Sequence, residues 1–543
     1  MSVRLRSVWA RPFALPLALF AGGLAISGVT ILNGIQPNDE GLMLQAAARI
    51  AHGEVPYRDF WWFYPPGQSY LLGGLWALFG PSLLTWRIVR VLLDATVALL
   101  AWRLARRGGA SPPVALGVWL VSALAMAYPT GPHPFPVTLA LALGALLVFE
   151  KRPAWAGALV GVAAFWRIEF AGYLALGILI AYAVSVLTHP RAEALRLARR
   201  FAGAGVVVAL VLYLPVLLVA GVSRSLDLLV RYPVVDFGDY QSLPFPLHYD
   251  GPLNTGSLGG FLSDSAENLL AYYLPLALVI GLVACLLALG LRFDRTQWPR
   301  VAVAVFALGM FHYLLARTDI FHTAPLTVLL AVLGAWVLGD RRAARAATPG
   351  GEALAPASPL RRARLPLAAG GATLLAAAAL AYALVEGADR RWLDLRTDYA
   401  PLRLGVADGV RVPPAGRADL ERAVSALRAR VPEGAPTYVL PRRADLVTAG
   451  YPLLYVLADR ENASRYDIAA PGVVTTAKVQ REIVAALERT RAPALVRDTS
   501  PVTAAPEPNR AGVSTGVTLL DDYVARAYRV DARFGPFTIL VRR

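Results

Sequence analysis

Asp39 and Glu40, in the stretch Gln36-Pro-Asn-Asp-Glu-Gly41, form an adjacent acidic pair a few residues beyond the first apolar run of the chain. A carboxylate held beside a reacting carbon can take the proton of an attacking hydroxyl, so Asp39 is a candidate general base with Glu40 next to it. A local reading stands beside this one: Asp39 caps the helix that follows, and Glu40 favours the same helix dipole. Asp59, in Tyr57-Arg58-Asp59-Phe60, is either a further acid of the site or a partner of Arg58. The basic candidates are Arg87, Arg167 and Arg317, because a guanidinium fork matches the oxygens of a phosphate. Snorkelling to headgroups would serve Arg87 and the neighbouring Arg90 equally well. In Arg317-Thr-Asp-Ile-Phe-His322, Asp319 can orient the arginine and His322 can touch a phosphate or a metal. Ordinary helix-end capping explains that group as well. One His and one Asp fall short of a full metal site, so no cofactor is assigned and a divalent metal stays open.

These residues sit in a chain of 543 residues, 56% hydrophobic, with mean hydropathy +0.50. A soluble core of that composition would leave almost no polar surface, and apolar runs of bilayer length recur through the first 385 residues. The reading is an integral membrane protein. The net charge of +16 does not point to nucleic acid. Lysine occurs only at 151 and 478, and the arginines cluster in short loops between apolar runs, a pattern that reports orientation. The single cysteine, Cys285, excludes an intramolecular disulfide. No P-loop, dinucleotide fingerprint, His-Glu-x-x-His or nucleophile elbow is present.

Eleven candidate spans cover 13–32, 83–104, 113–129, 135–150, 153–168, 170–187, 201–221, 269–291, 299–316, 322–339 and 365–385. Placing the basic clusters Arg4/Arg6/Arg11, Arg103/Arg106/Arg107, Lys151/Arg152, Arg191 to Arg200, Arg292 to Arg300 and Arg341 to Arg364 inside gives a cytoplasmic N-terminus and an outer C-terminus. Residues 67–80 are too short to cross and would invert every later span, so they are read as an interfacial or re-entrant helix. Outer loop 33–82 then contains that helix and a surface helix from Glu40 to His52, with Leu42, Ala46 and Ile50 on one face. A second outer loop, 222–268, is long enough to act as a lid. Residues 340–364 read as a cytoplasmic linker. Residues 1–386 form the membrane domain, and 387–543 form an extracytoplasmic α/β domain. In that domain, helices are expected at 417–430 and 477–491, and strands at Tyr438–Leu440, Ala494–Val496 and Thr538–Val541.

Asp39-Glu40 in the first loop, Pro65-Pro66 before a short apolar helix, Arg87 opening the next long span, and Arg317-x-Asp319-x-x-His322 together resemble the GT-C glycosyltransferase superfamily. The resemblance is to its bacterial group of protein O-mannosyltransferase-like, aminoarabinose-transferase-like and RgtA/B/C/D-like membrane enzymes. It implies a polytopic α-helical GT-C-like fold in the plasma (inner) membrane. It implies a polyprenyl-phosphate-linked sugar donor, a glycan, lipid or protein acceptor, and inverting transfer at the outer face with Asp39 as base. One departure is the turn Pro129-Thr-Gly-Pro-His-Pro-Phe-Pro136, where relatives carry an Asp-Pro pair, so His133 inherits no role. Two other classes compete: a flippase of a lipid-linked saccharide, and a non-catalytic envelope-glycan assembly protein. A flippase would favour charges at mid-membrane and internal symmetry. Here no repeat appears, and Asp94 is the exception among charges that otherwise gather on one side.

Overall fold

The structure is a computed structural model, and it describes residues 13–128, 131, 134–246, 248–249, 251–346 and 359–543. His133, the basic residues Arg4, Arg6 and Arg11, and the middle of the 340–364 segment lie outside the described residues. Each of the eleven apolar runs contains a helix. These are α1 (Ala14–Gly28), α4 (Leu84–Arg107), α5 (Pro112–Met126), α6 (Phe135–Val148), α7 (Pro153–Ala164), α8 (Ile168–Ser185), α9 (Arg191–Ala220), α10 (Glu267–Gly290), α11 (Pro299–Ala316), α12 (Ile320–Ala346) and α13 (Pro359–Arg396). Between α1 and α4 lie α2 (Asp39–Ala51) and α3 (Gly67–Phe79), at the positions read as the surface and short helices. Six of the helices, α8 to α13, are long and apolar enough to cross a membrane; α1, α5, α6 and α7 are apolar but shorter.

Proline opens several of these helices at the first turn, where its missing N–H costs no hydrogen bond (Pro112, Pro153, Pro299). Lipid offers no hydrophobic drive between helices, so close backbone approach decides their packing. Gly157 and Gly161 on α7 do this against α9: a Cβ at either would collide with the carbonyl of Phe201 or Gly205. Helix α4 carries too many charges to count as apolar, yet its inward charges are paired. Arg90 Nε meets Asp94 at 2.7 Å, Ser27 Oγ donates to Asp94 at 2.6 Å, and Arg90 Nη2 donates to the Met126 carbonyl at 3.0 Å. Asp94 is thus held in a structural ion pair that ties α1, α4 and α5.

The arginine-rich helix ends are neighbours. Arg107 meets Glu150 at 2.7 Å, Arg300 meets Asp340 at 2.7 Å, and Arg300 donates to the Gly108 carbonyl at 3.3 Å. At a rise of about 1.5 Å per residue, Arg300 and Arg317 stand at opposite ends of α11, about 25 Å apart. The arginine cluster and the Arg317 turn therefore lie at opposite ends of the bundle.

Beyond α13 comes an α/β domain. Its helices are α14 (Pro414–Arg430), α15 (Leu453–Ala458), α16 (Ala477–Thr490) and α17 (Leu519–Ala527). A two-stranded pair, β1 (Ala400–Pro401) and β2 (Arg411–Val412), precedes a four-stranded sheet of β3 (Val439–Leu440), β4 (Ala494–Asp498), β5 (Tyr528–Phe534) and β6 (Phe537–Arg542), in the order β3-β4-β6-β5. The β3–β4 pair is parallel and the other two pairs are antiparallel. Helix α16 buries Val479, Ile483, Ala486 and Leu487 along one face, and its N-cap Thr476 accepts from the Val479 N–H at 3.4 Å.

This domain does not stand apart from the first loop. Met43, Trp62 and Trp86 share one buried core with Leu420, Leu453 and Ile483. The closest approach is at Gly41, where a Cβ would lie 2.7 Å from the Leu453 Cα and closer still to its backbone nitrogen. That nitrogen donates to the Pro37 carbonyl at 3.2 Å. Gly41→Ala is therefore expected to separate α2 from α15 and to cost about 1–3 kcal/mol, read as a lower thermal midpoint in detergent or lipid.

Candidate functional site

A cavity of about 760 Å³ lies where the first loop, the 222–268 segment, the Arg317 turn, the end of α13 and the α/β domain meet. Asp39 lines it together with Arg317, Asp319 and His322, although Asp39 lies about 280 residues before those three in the chain. Tyr64, Tyr232, Phe237 and Gln241 close its sides. The last three belong to the segment expected as a lid.

Asp39 is the first residue of α2, and the Asn38 amide donates to its Oδ1 at 3.0 Å. Burial raises the Asp39 carboxyl above its ordinary value, while the Asn38 amide and the Arg317 and His322 charges pull in the other direction. Asp319 is a different case. Burial works against its ionisation too, but His322 and Arg317 outweigh it and hold the carboxyl at about 2. His322 Nδ1 lies 2.6 Å from Asp319 Oδ1, and the His322 N–H donates to the same oxygen at 3.0 Å. Two carboxylates in one cavity are thus pushed apart: Asp39 toward the proton-accepting range and Asp319 toward permanent charge.

Every nitrogen of Arg317 is engaged. Its Nε donates to Asp319 at 3.0 Å, Nη1 donates to the Gln241 carbonyl at 2.9 Å, and Nη1 and Nη2 grip Glu507 of the α/β domain at 3.1 and 2.6 Å. Arg167 is engaged only in part. It sits between α7 and α8, 8% exposed, with Nε donating to Glu169 at 2.5 Å. Its guanidinium lies 5.8 Å from the Tyr64 ring centroid and 5.2 Å from that of Tyr313. Among the described residues, its Nη1 has no hydrogen-bond partner, and neither has the Tyr313 hydroxyl, which is on a residue 4% exposed. The Tyr313 ring packs 4.8 Å from that of His322. Two unspent donors therefore sit on side chains packed against the cavity-lining rings of Tyr64 and His322, and a buried donor without a partner is costly unless something else fills the place.

The remaining sequence candidates do not line this cavity. Glu40 and Arg87 are both 0% exposed and bind each other through two bonds, Nε–Oε1 at 2.7 Å and Nη2–Oε2 at 2.9 Å. The other Arg87 donors go to the carbonyls of Ile31 (3.0 Å) and Gly34 (2.7 Å), so the pair fastens the first loop to α4. Asp59 pairs with Arg58 at 2.7 Å and accepts from the Val55 N–H at 2.7 Å, which closes its own turn. Among the described residues, no group of three or more His, Cys, Asp or Glu side chains gathers in a metal-binding arrangement.

Sequence reasoning missed one wall of the cavity. Glu386 and Arg390 on α13 pair at 3.1 Å, and Arg390 lies 5.7 Å from the centroid of Tyr128, whose hydroxyl accepts from Gln36. The spacing of four between Glu386 and Arg390 was the available signal. It lies just past the apolar run, where a helix was not expected to continue.

No protein-family model matches the chain. The galactan 5-O-arabinofuranosyltransferase of Corynebacterium glutamicum is 26% identical over an alignment of 353 residues that covers 60% of this chain and 48% of that protein. The chain thus spans about half the length of the curated relative it matches. Among solved structures, ArnT from Cupriavidus metallidurans bound to undecaprenyl phosphate matches 97% of this chain and 98% of its own, with a TM-score of 0.50 at 16% identity. Its apo state matches 96% of this chain and 97% of its own, with a TM-score of 0.49 at 16% identity. The chain therefore shares the fold of ArnT along almost its whole length, and carries a remote, partial sequence likeness to a glycosyltransferase.

Proposed function

We propose that this chain transfers a sugar from a polyprenyl-phosphate carrier to an acceptor hydroxyl at the outer face of the membrane, with Asp39 as the general base. The observation that carries this reading is the cavity itself. A carboxylate with a raised pKa shares it with Arg317, Asp319 and His322, and the unspent Arg167 and Tyr313 donors stand next to it. The acceptor oxygen attacks the anomeric carbon and its proton passes to Asp39. The bond from that carbon to the phosphate oxygen breaks, and its electron pair leaves on the phosphate. A single displacement of this kind inverts the anomeric centre. Phosphate is a good leaving group and needs cationic and hydrogen-bond stabilisation more than protonation. Arg167 Nη1 and the Tyr313 hydroxyl supply that stabilisation.

The carrier is inferred by analogy with ArnT, whose structure holds undecaprenyl phosphate. The outer-face assignment rests on the arginine-rich helix ends lying opposite the cavity. In this reading the N-terminus is cytoplasmic, and the 387–543 domain is extracytoplasmic and covers the site.

The test presents purified protein in lipid with a panel of polyprenyl-phosphate sugars and follows release or transfer of sugar by mass spectrometry. Turnover is expected for at least one donor. Tight carrier binding with no turnover on any donor or acceptor would instead favour a flippase or an assembly protein. Tyr313→Phe is expected to weaken carrier binding roughly ten- to a hundredfold, the range for one hydrogen bond to a charged group, with an unchanged thermal midpoint. The midpoint should hold because, among the described residues, that hydroxyl has no hydrogen-bond partner to lose.

A further inference from the structure

We propose that Glu507 is an affinity-determining residue of the donor site, occupying on Arg317 the seat that the donor phosphate takes. This rests on the donor reading above.

Arg317 presents two of its donors, Nη1 and Nη2, to the two carboxylate oxygens of Glu507, at 3.1 and 2.6 Å. A phosphate offers the same two-oxygen bite to a guanidinium fork, so carboxylate and phosphate compete for one place. Arg317 lines the same cavity as Asp39 and His322, so its fork faces the volume where the reacting group would lie.

Three features suit Glu507 to yield. Its side chain is 24% exposed, so it can swing into water without leaving a charge buried. It lies in the irregular segment between Ala504 and the turn at Gly512 rather than within a helix or strand, so displacing it breaks no ladder. The remaining hold on Arg317, from Asp319 at 3.0 Å and the Gln241 carbonyl at 2.9 Å, stays in place to aim the fork when Glu507 leaves. With Glu507 in the seat, a bound phosphate would face a further carboxylate beside Asp39 and Asp319. Exchanging one anion for another keeps Arg317 neutralised and removes that repulsion.

The same segment pins the lid. Asn509 Nδ2 donates to Glu507 at 3.0 Å and to the Ser242 carbonyl at 3.1 Å, and Thr318 donates to the Pro244 carbonyl at 3.0 Å. Release of Glu507 breaks its bond to Asn509, whereas the Asn509–Ser242 and Thr318–Pro244 bonds do not involve Glu507 and keep residues 241–244 over the cavity.

The experiment titrates undecaprenyl phosphate into the full-length protein in lipid nanodiscs and reads binding by intrinsic tryptophan fluorescence. Glu507→Gln removes the competing charge at nearly constant shape. If Glu507 holds the seat nine times in ten, the variant binds about tenfold tighter than wild type. Glu507→Asp, one methylene shorter and unable to reach both donors, tightens binding in the same direction and serves if the amide variant folds poorly. Asn509→Ala frees the lid but not the arginine, and is expected to bind like wild type. Equal or weaker binding by both Glu507 variants would make Glu507 a permanent support of Arg317 and overturn the proposal. Equal tightening by Asn509→Ala would overturn it too, by assigning the effect to the lid. If wild-type protein does not bind the carrier at all, the donor reading itself falls and this inference with it.

Discussion

Asp39→Asn is expected to lower sugar transfer by at least about a hundredfold, the low end for losing a general base, while carrier binding persists and the protein melts no lower than wild type. The stability half of this expectation follows from the sign of the pKa shift. Burial raises the folded-state pKa of Asp39 above its unfolded value, so folding is favoured most while the carboxyl is protonated. That advantage fades as pH rises through the raised value. Near neutrality the charged group is a burden that an uncharged amide does not carry. A residue kept at a cost to stability is the expected signature of a catalytic group rather than a helix cap. A cap-only role gives the opposite pattern: a modest fall in thermal midpoint and normal turnover.

The pH profile gives a second view of the same residue. A base must be ionised to accept a proton, so kcat/KM should fall on the acid side with an apparent pKa above the ordinary carboxylate range. Asp319, held at about 2, keeps its charge through that whole window and contributes no limb to it. An acid limb at an unshifted carboxylate value would remove Asp39 from the role.

Breaking the Glu40–Arg87 pair should do the reverse: large damage to stability, with activity lost only because the fold is lost. Both side chains are fully buried, and Arg87 also carries the carbonyls of Ile31 and Gly34. Removing one partner leaves the other charge buried without its counter-ion, an error of about 3–5 kcal/mol. Glu40→Ala or Arg87→Met alone is therefore expected to aggregate or to melt far below wild type in a detergent thermal scan. Replacing both with apolar residues of similar volume should recover much of that loss. Recovered double-mutant protein that still transfers sugar would place Glu40 outside the chemistry. Well-folded single mutants that are inactive would return Glu40 to it.

The contrast between Asp39 and Glu40 shows what could and could not be read along the chain. The two residues are adjacent, both acidic and both at the start of one helix, and no local rule separates them. Successive helical residues point about 100° apart, so one carboxylate faces the cavity and the other faces Arg87. Which face meets which neighbour depends on the placing of α4, α11 and the α/β domain. The same holds for the arginines. Arg87, Arg167 and Arg317 are chemically identical candidates in sequence. Packing engages every nitrogen of Arg87, seats Glu507 on Arg317, and, among the described residues, leaves Arg167 Nη1 unspent.

Glu386, Arg390 and Tyr313 escaped notice for a related reason. They are ordinary residues of helices or helix ends, and their importance lies in what they approach. The boundary set near 386 from the loss of apolar character does not coincide with a break in the backbone, because α13 runs on to Arg396. Hydropathy reports where lipid would end, whereas a helix continues as long as its own hydrogen bonds and its neighbours support it.

By itself, the sequence determined the class of the protein. Apolar runs of bilayer length mark a membrane chain, and helices formed at every one of those runs, at the short segment 67–80 and after Asp39, where the helix is buried against the α/β domain rather than laid on the membrane surface. It also determined the α/β character of the last 150 or so residues, where helical periodicity and short β-branched runs alternate. These are local properties, set by backbone hydrogen bonding and by the solvent each face meets. The site was decided only by tertiary structure. Its residues come from the first loop, the turn before α12, the end of α13 and the α/β domain, and a cavity exists only where surfaces distant in sequence fail to close on one another.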